Sequence, residues 1–442
     1  MALLGDTAMG LVDTRLVSGL GASSIGGVGL ATTLMYLNYA AVFGLMRGVK
    51  VRAAHSLGEG RPSDALRYAQ AGALLGFAAG VLVFFVARDI SWALRALGVS
   101  PGLVAPAREF LAARTVLAPA TCVLSAMIQW RQGVGDSKTP MRITLAGNIV
   151  NAGLAWALIH GRFGLPRLGV AGAGYATATA EALEASALLF VFARAWRESR
   201  AAREATGALG LGEALRAVLT VGGPTGLQFG VETLAFASFT TILGSLGEAG
   251  LAAHQIALAT IRTSFLPGVA VGEAASVLVG RSLGRRALRE ADAVTRASLQ
   301  TAVAFMALCG VVFALGGEAL ARAFTDDPAI VENVVRLLRV AAVFQVLDGV
   351  NIVLRGALRG AKDVRLPALL GITVVWVCVP GAAWFLGRQM GLGVLGGWLG
   401  FVGETTLCAT VFYLRWRYGA WREAYRRPTK ATGAVGALAS VH

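Results

Sequence analysis

Twelve windows of roughly 20 predominantly apolar residues run through this chain, each as long as an α-helix needs to cross about 30 Å of hydrocarbon. They fall at about 2–20, 25–46, 66–87, 105–130, 142–160, 169–193, 215–243, 252–279, 295–317, 331–354, 366–387 and 391–414. A segment in hydrocarbon must satisfy its own backbone hydrogen bonds, which a helix does within itself. The expected fold is therefore an all-α polytopic membrane protein with twelve transmembrane helices. Hydrophobic residues make up 56% of the 442 and charged residues only 15%, far more apolar surface than a soluble core needs. Gly222, Gly223 and Pro224 are candidates to break the seventh span.

The formal charge of +15 could point to nucleic acid, but the basic residues sit in short clusters between the apolar runs. Anionic lipid and membrane orientation explain them, so membrane lipid is an expected partner and nucleic acid is not. Clusters follow the even spans: Arg47, Lys50, Arg52 and Arg61 after the second, Arg131, Lys138 and Arg142 after the fourth, and Arg194 to Arg203 after the sixth. The same holds for Arg281 to Arg289 after the eighth, Arg355 to Arg365 after the tenth, and the tail from Arg415. By the positive-inside rule both termini are cytoplasmic, in a multi-pass protein of the cell's inner (plasma) membrane. The basic tail is expected to lie along anionic headgroups. Only twelve residues precede Asp13, with no polar or basic leader. Either the first helix is thin at that end or the true start lies upstream.

Cys122, Cys309, Cys378 and Cys408 lie in apolar runs without CxxC spacing, and the four histidines do not cluster. Neither a disulfide framework nor a structural metal is indicated, and no cofactor is expected.

An internal repeat organises the chain. Ser56-Leu57-Gly58-Glu59 recurs as Ser282-Leu283-Gly284-Arg285 at an offset of 226 residues, and Gly135-Asp136 recurs near Gly360 to Asp363. Half the chain separates the copies, so this is a parallel duplication of six helices. The expected organisation is a six-helix lobe at 1–194, a cytoplasmic linker at 195–212, a second six-helix lobe at 213–414 and a basic tail at 415–442. Gly58, Gly135, Gly284 and Gly360 are expected to end helices, because glycine tolerates positive φ.

Two acids, Glu232 and Asp348, stand deep in the seventh and tenth spans. A charge at the bilayer centre costs about 2.5–3.5 kcal/mol on insertion scales, so the pair suggests a cation or proton site. Two carboxylates with nearby oxygens either hold a dehydrated cation such as sodium or share a proton. The bland alternative is a polar contact between helices. Glu181, Glu184, Arg262, Glu273 and Glu404 line a central cavity or balance one another; Arg262 and Glu273 are too far apart on one helix to pair.

The run Gly10-Leu11-Val12-Asp13-Thr14, the run from Val279 to Gly284, and Arg355-Gly356-Ala357-Leu358-Arg359-Gly360-Ala361-Lys362-Asp363 resemble the multidrug and toxic compound extrusion (MATE) transporters over about residues 5–418. The resemblance implies two six-helix bundles that open alternately to each side. It also implies export of amphipathic, often cationic small molecules in exchange for sodium ions or protons. Glu232 and Asp348 match the family's second-lobe coupling positions. Asp13 matches its first-helix acid, with Asn151 and Thr177 as polar partners. Ala155 departs from the pattern, since an acid often stands there, and leaves Asp13 to act alone or with Arg15 or Asp6. Tyr36, Met35, Tyr39, Phe43 and Phe265 would contact substrate, with Asn38 and Gln255 as hydrogen-bonding groups. A monomer is expected.

Two function classes remain. A secondary antiporter needs buried acids, a duplicated fold and no nucleotide machinery, and no GxxxxGK[ST] run occurs. A flippase for a lipid-linked precursor would favour a basic cavity, whereas the acids favour cation-coupled export, with a slight preference for sodium over protons. Catalysis would need a clustered nucleophile and base, which scattered histidines do not supply.

Overall fold

The computed structural model describes residues 9–10, 15–87, 100–201, 204 and 209–426. The described residues are helical apart from turns and short connections. In chain order the helices are α1 (Ala22–Gly58), α2 (Pro62–Ala87), α3 (Pro101–Thr115), α4 (Ala118–Gly133), α5 (Lys138–His160) and α6 (Gly169–Glu198). They continue as α7 (Leu211–Gly244), α8 (Glu248–Gly284), α9 (Leu288–Arg322), α10 (Pro328–Gly360), α11 (Arg365–Ala382), α12 (Gly393–Tyr418) and the short α13 (Trp421–Arg426). Most of the first expected span lies outside the described residues. α1 and α2 are the second and third spans, the pair α3 and α4 is the fourth, and α5 to α12 coincide with the fifth to twelfth.

Nine of these helices are long and apolar enough to cross a membrane, and the α3–α4 pair, bent by 60°, makes a tenth crossing. α7 has the length, at 34 residues, but carries Thr225, Gln228, Glu232 and Thr233 along its middle. α9 buries only 22% of its most apolar window inside the protein, and the α12 region buries 56%. α9 is therefore an outer helix whose Leu308, Val311 and Leu315 face lipid, and α12 is an inner one.

The duplication is visible helix by helix. α1 and α8 are both 37 residues long, and both follow a glycine of positive φ, 106° at Gly21 and 128° at Gly247. Their first residues stand at the same 226-residue offset as the sequence motifs. The span from Pro101 to Gly133 matches Pro328 to Gly360, with one difference. The first copy breaks between α3 and α4, where Pro119 lacks a backbone donor in the first turn of α4. The second copy has Val346 there and runs unbroken for 33 residues. Its start is fixed by Asp327, whose carboxylate accepts from the amides of Ala329 (2.9 Å) and Ile330 (3.4 Å), with Pro328 at the first helical position.

Two expectations about glycine and proline are corrected. α7 passes through Gly222, Gly223 and Pro224 without a break. Gly222 serves packing instead: a Cβ there would stand 2.1 Å from the carbonyl oxygen of Leu45 on α1. Thr225 Oγ1 donates to the Val221 carbonyl at 2.8 Å, satisfying backbone next to the proline. Likewise Gly58, Gly284 and Gly360 are the last residues of their helices but have no positive φ. The left-handed position falls two residues later, at Gly60, Arg286 and Lys362, and only Gly135 fits the expectation. A Cβ on Gly58 would stand 2.1 Å from the Arg281 carbonyl oxygen and 2.9 Å from the Gly284 Cα. The repeated glycines are where α1 and α8, equivalent helices of the two bundles, touch backbone to backbone.

The tail also departs from expectation. Arg415 holds both oxygens of Asp363 (2.6 and 3.1 Å), and Arg422 both oxygens of Asp292 (3.1 and 2.5 Å) while lying over Trp416 and Trp421. These two cations face protein acids rather than headgroups. Residues 427–442 lie outside the described ones.

Candidate cation site, latch and cleft

The two bundles meet along one half of α1. From Gly44 to Ser56 most of its residues are buried, with Gly44 against Thr225 and Gly226 and Gly48 against Val218 and Gly222 of α7. The face that packs at Gly44 continues one way along the helix through Thr33, Tyr36 and Gly29, and there it is exposed. α8 shows the same change, buried from Ala275 to Gly280 except around Val277 and Leu278, and exposed at Gln255, Leu258 and Arg262. The bundles are thus joined on the side of the basic loops and parted on the opposite side, leaving a cleft. Tyr36 and Arg262, from opposite bundles, lie within electrostatic range of each other across it. Phe265 is also exposed, while Asn38 is partly covered and donates to its own helix at the Leu34 carbonyl, 2.8 Å.

Glu273 does not line this cleft. It sits on the joined side, where Oε1 meets Arg47 Nε at 3.1 Å and Arg359 Nη1 at 2.9 Å, and Oε2 pairs with Lys50. Arg47 and Lys50 come from α1 and Arg359 from α10, so one acid of the second bundle is held by two cations of the first. Lys50 is 1% exposed and also reaches Gln132 Oε1 at 3.3 Å. His55 Nε2 lies 2.7 Å from the Gly360 carbonyl oxygen, and Arg281 donates to the Val134 carbonyl at 3.2 Å. Together these form a polar latch beside the glycine contact.

The acids in the second bundle converge. On α10, Asp348, Asn351 and Arg355 follow an i, i+3, i+7 spacing and share one face. On α7, Gln228 Nε2 donates to Glu232 Oε1 at 2.8 Å, one turn away. Arg355 Nη1 donates to both oxygens of Glu232, at 3.0 and 2.9 Å, and its Nη2 stands 4.0 Å from Glu404 Oε1 of α12. Asn351 donates to the same Glu404 oxygen at 3.4 Å. Asp348 lies within electrostatic range of Glu404 and Arg355. Gly371 of α11 leaves the space this needs, since a Cβ there would be 2.6 Å from Gln228 Nε2. Glu232 therefore binds the Arg355 guanidinium directly, Glu404 stands beside it, and Asp348 adds a third carboxylate to the same electrostatic neighbourhood. Among the described residues no group of three His, Cys, Asp or Glu is arranged as a metal cage. The acids with the Gln228 and Asn351 amides nonetheless suit a weakly held monovalent ion or protons.

A cavity between α7, α10 and the start of α11 reaches this cluster from the latch side, lined by Arg47, Thr225, Gln228, Phe229, Glu232 and Arg355 among others. Sequence reasoning paired Glu232 with Asp348 and counted Arg355 among the loop cations. The i, i+3, i+7 spacing from Asp348 was the signal that placed Arg355 with the acids.

In the first bundle, Asp13 lies outside the described residues. Asn151 and Thr177 are buried, as is Ala155 one turn beyond Asn151. Glu181 pairs with Arg114 of α3 and accepts from Thr121 Oγ1 of α4 at 2.5 Å, so it clamps the break between those helices. Glu184 accepts from Thr144 of α5 at 3.0 Å and lies against Gly147.

The MatE family model matches residues 1–157 and 224–384. A probable multidrug resistance protein NorM of Burkholderia pseudomallei is 33% identical over 427 residues, covering 95% of this chain and 90% of its own length. The corresponding protein of Pseudomonas aeruginosa is 30% identical, covering 99% of this chain and 90% of its own length. Among solved structures, a MOP superfamily transporter from Pyrococcus furiosus superposes with a TM-score of 0.84 at 21% identity, covering 97% of this chain and 94% of that one. A MATE family multidrug resistance transporter in an outward-facing conformation gives 0.82 at 22% identity, with coverage of 97% and 94%. These likenesses establish the shared fold.

Proposed function

The chain belongs to the MatE family and is a multi-span membrane transporter rather than an enzyme, and from that premise we propose that it exports amphipathic, cationic small molecules in exchange for sodium ions or protons. The observation that carries this reading is the placement of Glu232 and Glu404 at the Arg355 guanidinium, with Asp348 within electrostatic range of Glu404 and Arg355, at mid-helix positions of α7, α10 and α12. Acids at that depth are costly unless their charge is used, and three against one guanidinium leave negative charge for a mobile cation to neutralise. Sodium is preferred over protons as the coupling ion. Substrate binds in the cleft between α1, α7 and α8, where Tyr36, Phe265 and Gln255 are exposed.

The exchange follows from the geometry. With the latch at Glu273 closed, the cleft opens away from the basic loops. A cation entering the acid cluster relieves its charge, the bundles rock about their seam, and the cleft then faces the other side. The basic loops are cytoplasmic and the membrane is the cell's inner membrane, in keeping with the charge bias of the loops. We read the protein as a monomer, since the Arg355 acid cluster and the Glu273 latch are each built from residues of one chain.

The deciding experiment is export of ethidium from proteoliposomes, first under a sodium gradient at fixed pH and then under a pH gradient without sodium. Drive by the sodium gradient is expected. Drive by the pH gradient alone would replace sodium with protons, and drive by neither would return the lipid-precursor flippase to the fore.

A further inference from the structure

The acid cluster already contains a cation of its own. Among the described residues Arg355 hydrogen-bonds only to Glu232, through Nη1 to both oxygens, and its nearest second acid, Glu404, is 4.0 Å from Nη2. Its guanidinium lies over the Phe412 ring at 5.6 Å, between the two acids it could serve. Its side chain is 23% exposed and Glu232 8%, and the cavity on the latch side reaches both. The fold does not require this cation, because the equivalent position in the first bundle is Ile128.

We propose that Arg355 is a tethered rival of the coupling cation: it occupies Glu232 when the site is empty and swings toward Glu404 when a cation takes its place. This deepens the coupling reading given above and rests on it. The consequence is a tuned affinity. A cation that must first displace a bonded guanidinium binds with its intrinsic affinity reduced by the fraction of time Glu232 is free. Three carboxylates without such a rival would hold a cation tightly and release it slowly, whereas an exchanger must release it on every cycle. Arginine suits the task because it stays charged under all conditions and grips both carboxylate oxygens at once. It is a positioning residue that sets specificity and release, not a residue that touches the exported compound.

The test uses the full chain in proteoliposomes exporting ethidium, and reads both the cation concentration for half-maximal export and the maximal rate. Arg355→Gln is expected to lower the half-saturating concentration about tenfold and to lower the maximal rate, because the bound ion leaves more slowly. Arg355→Lys keeps a charge but on a shorter side chain whose ammonium is more strongly hydrated and so holds Glu232 less firmly, and should shift the half-saturating concentration in the same direction by less. A merely structural role would weaken cation use and never tighten it, so unchanged or raised half-saturating concentrations in both variants would overturn the proposal. If Arg355→Gln is not recovered as a monodisperse protein, Arg355→Lys decides by the same criterion. Glu232→Gln separates the two levels. If it leaves the cation dependence intact, the coupling site itself is misplaced. If it removes that dependence while the Arg355 variants shift nothing, only the role of Arg355 fails.

Discussion

The two bundles are copies of one scaffold with different charge chemistry inside. In the first, among the described residues, Glu181 is matched by Arg114 and Thr121 and holds together a helix that breaks at Leu117. In the second the same helix is unbroken, and Glu232 and Glu404 face Arg355 with Asp348 within electrostatic range. A matched pair stabilises one arrangement; an unmatched cluster has a vacancy for a mobile charge. Duplication thus supplied two equivalent frames, and the imbalance in one of them is what would suit it to the exchange proposed above.

The strongest way to break this contrast is to neutralise the second bundle. Glu232→Gln and Asp348→Asn are each expected to cut gradient-driven accumulation in proteoliposomes by roughly a hundredfold or more, the loss of about 2.7 kcal/mol of differential interaction. Elution on size exclusion should be unchanged. A double variant no worse than either single one would mark a single coupled site, and near-normal accumulation by the single variants would end the idea.

Glu181→Gln should do the opposite. It takes the carboxylate charge away from the buried Arg114, so unfolding in denaturant is expected to become easier by about 3 kcal/mol. The cation concentration for half-maximal export should not move. A shift there would mean that the first bundle also handles the ion.

The equivalent loop acids Asp136 and Asp363 sharpen the comparison at smaller scale. Asp136 accepts from the Lys138 and Thr139 amides at 3.0 and 2.9 Å at the start of α5, while Asp363 grips Arg415. Burial alone would raise the Asp136 carboxyl, but the Thr139 hydrogen bonds and Arg131 outweigh it and bring it down to about 2. A carboxyl held below its ordinary value stabilises the fold above that ordinary value, near pH 4, and the contribution fades as pH falls toward 2. Asp136→Ala should cost about 1 kcal/mol at neutral pH, as loss of a helix cap does. The difference between variant and parent in thermal melts should vanish at the acid end of that window; a constant difference would contradict the assignment.

The smallest effect concerns backbone. Gly60 and Gly135 take positive φ in the first bundle, and Arg286 and Lys362 take it at equivalent positions in the second, at 59° and 64°. Arg286→Gly is expected to raise stability by about 0.5–1 kcal/mol and Gly60→Ala to lower it by about 1 kcal/mol. Equal and opposite shifts in melting would confirm that the two turns are the same turn.

Much of the architecture was legible in the sequence because hydrocarbon permits few solutions: apolar run length placed α5 to α12, and the Ser-Leu-Gly motif gave the offset at which α1 and α8 coincide. The break between α3 and α4 escaped because its windows are continuous in apolarity and only Pro119 marks it. At the site, depth in a span singled out Glu232 and Asp348, but which charges meet depends on how helices far apart in sequence rotate against one another. Arg355 was hidden because an arginine near a helix end reads as a loop anchor, and Glu273 because its partners Arg47 and Lys50 lie more than two hundred residues away.

The contact of Gly58 with Gly284 has a mechanical consequence. Side chains that interlock across a seam must climb over one another when it opens, and each such step adds to the barrier. A seam of bare backbone has no teeth. At that contact no side chain is buried, so parting it there forfeits little of the roughly 25 cal/mol per Å² that burial provides. The seam is smooth and the Glu273 ion cluster supplies the grip, which divides friction from fastening. A protein that must open and close on each cycle gains from that division, because the strength of the closed state can be set by charge while the speed of movement is set by glycine.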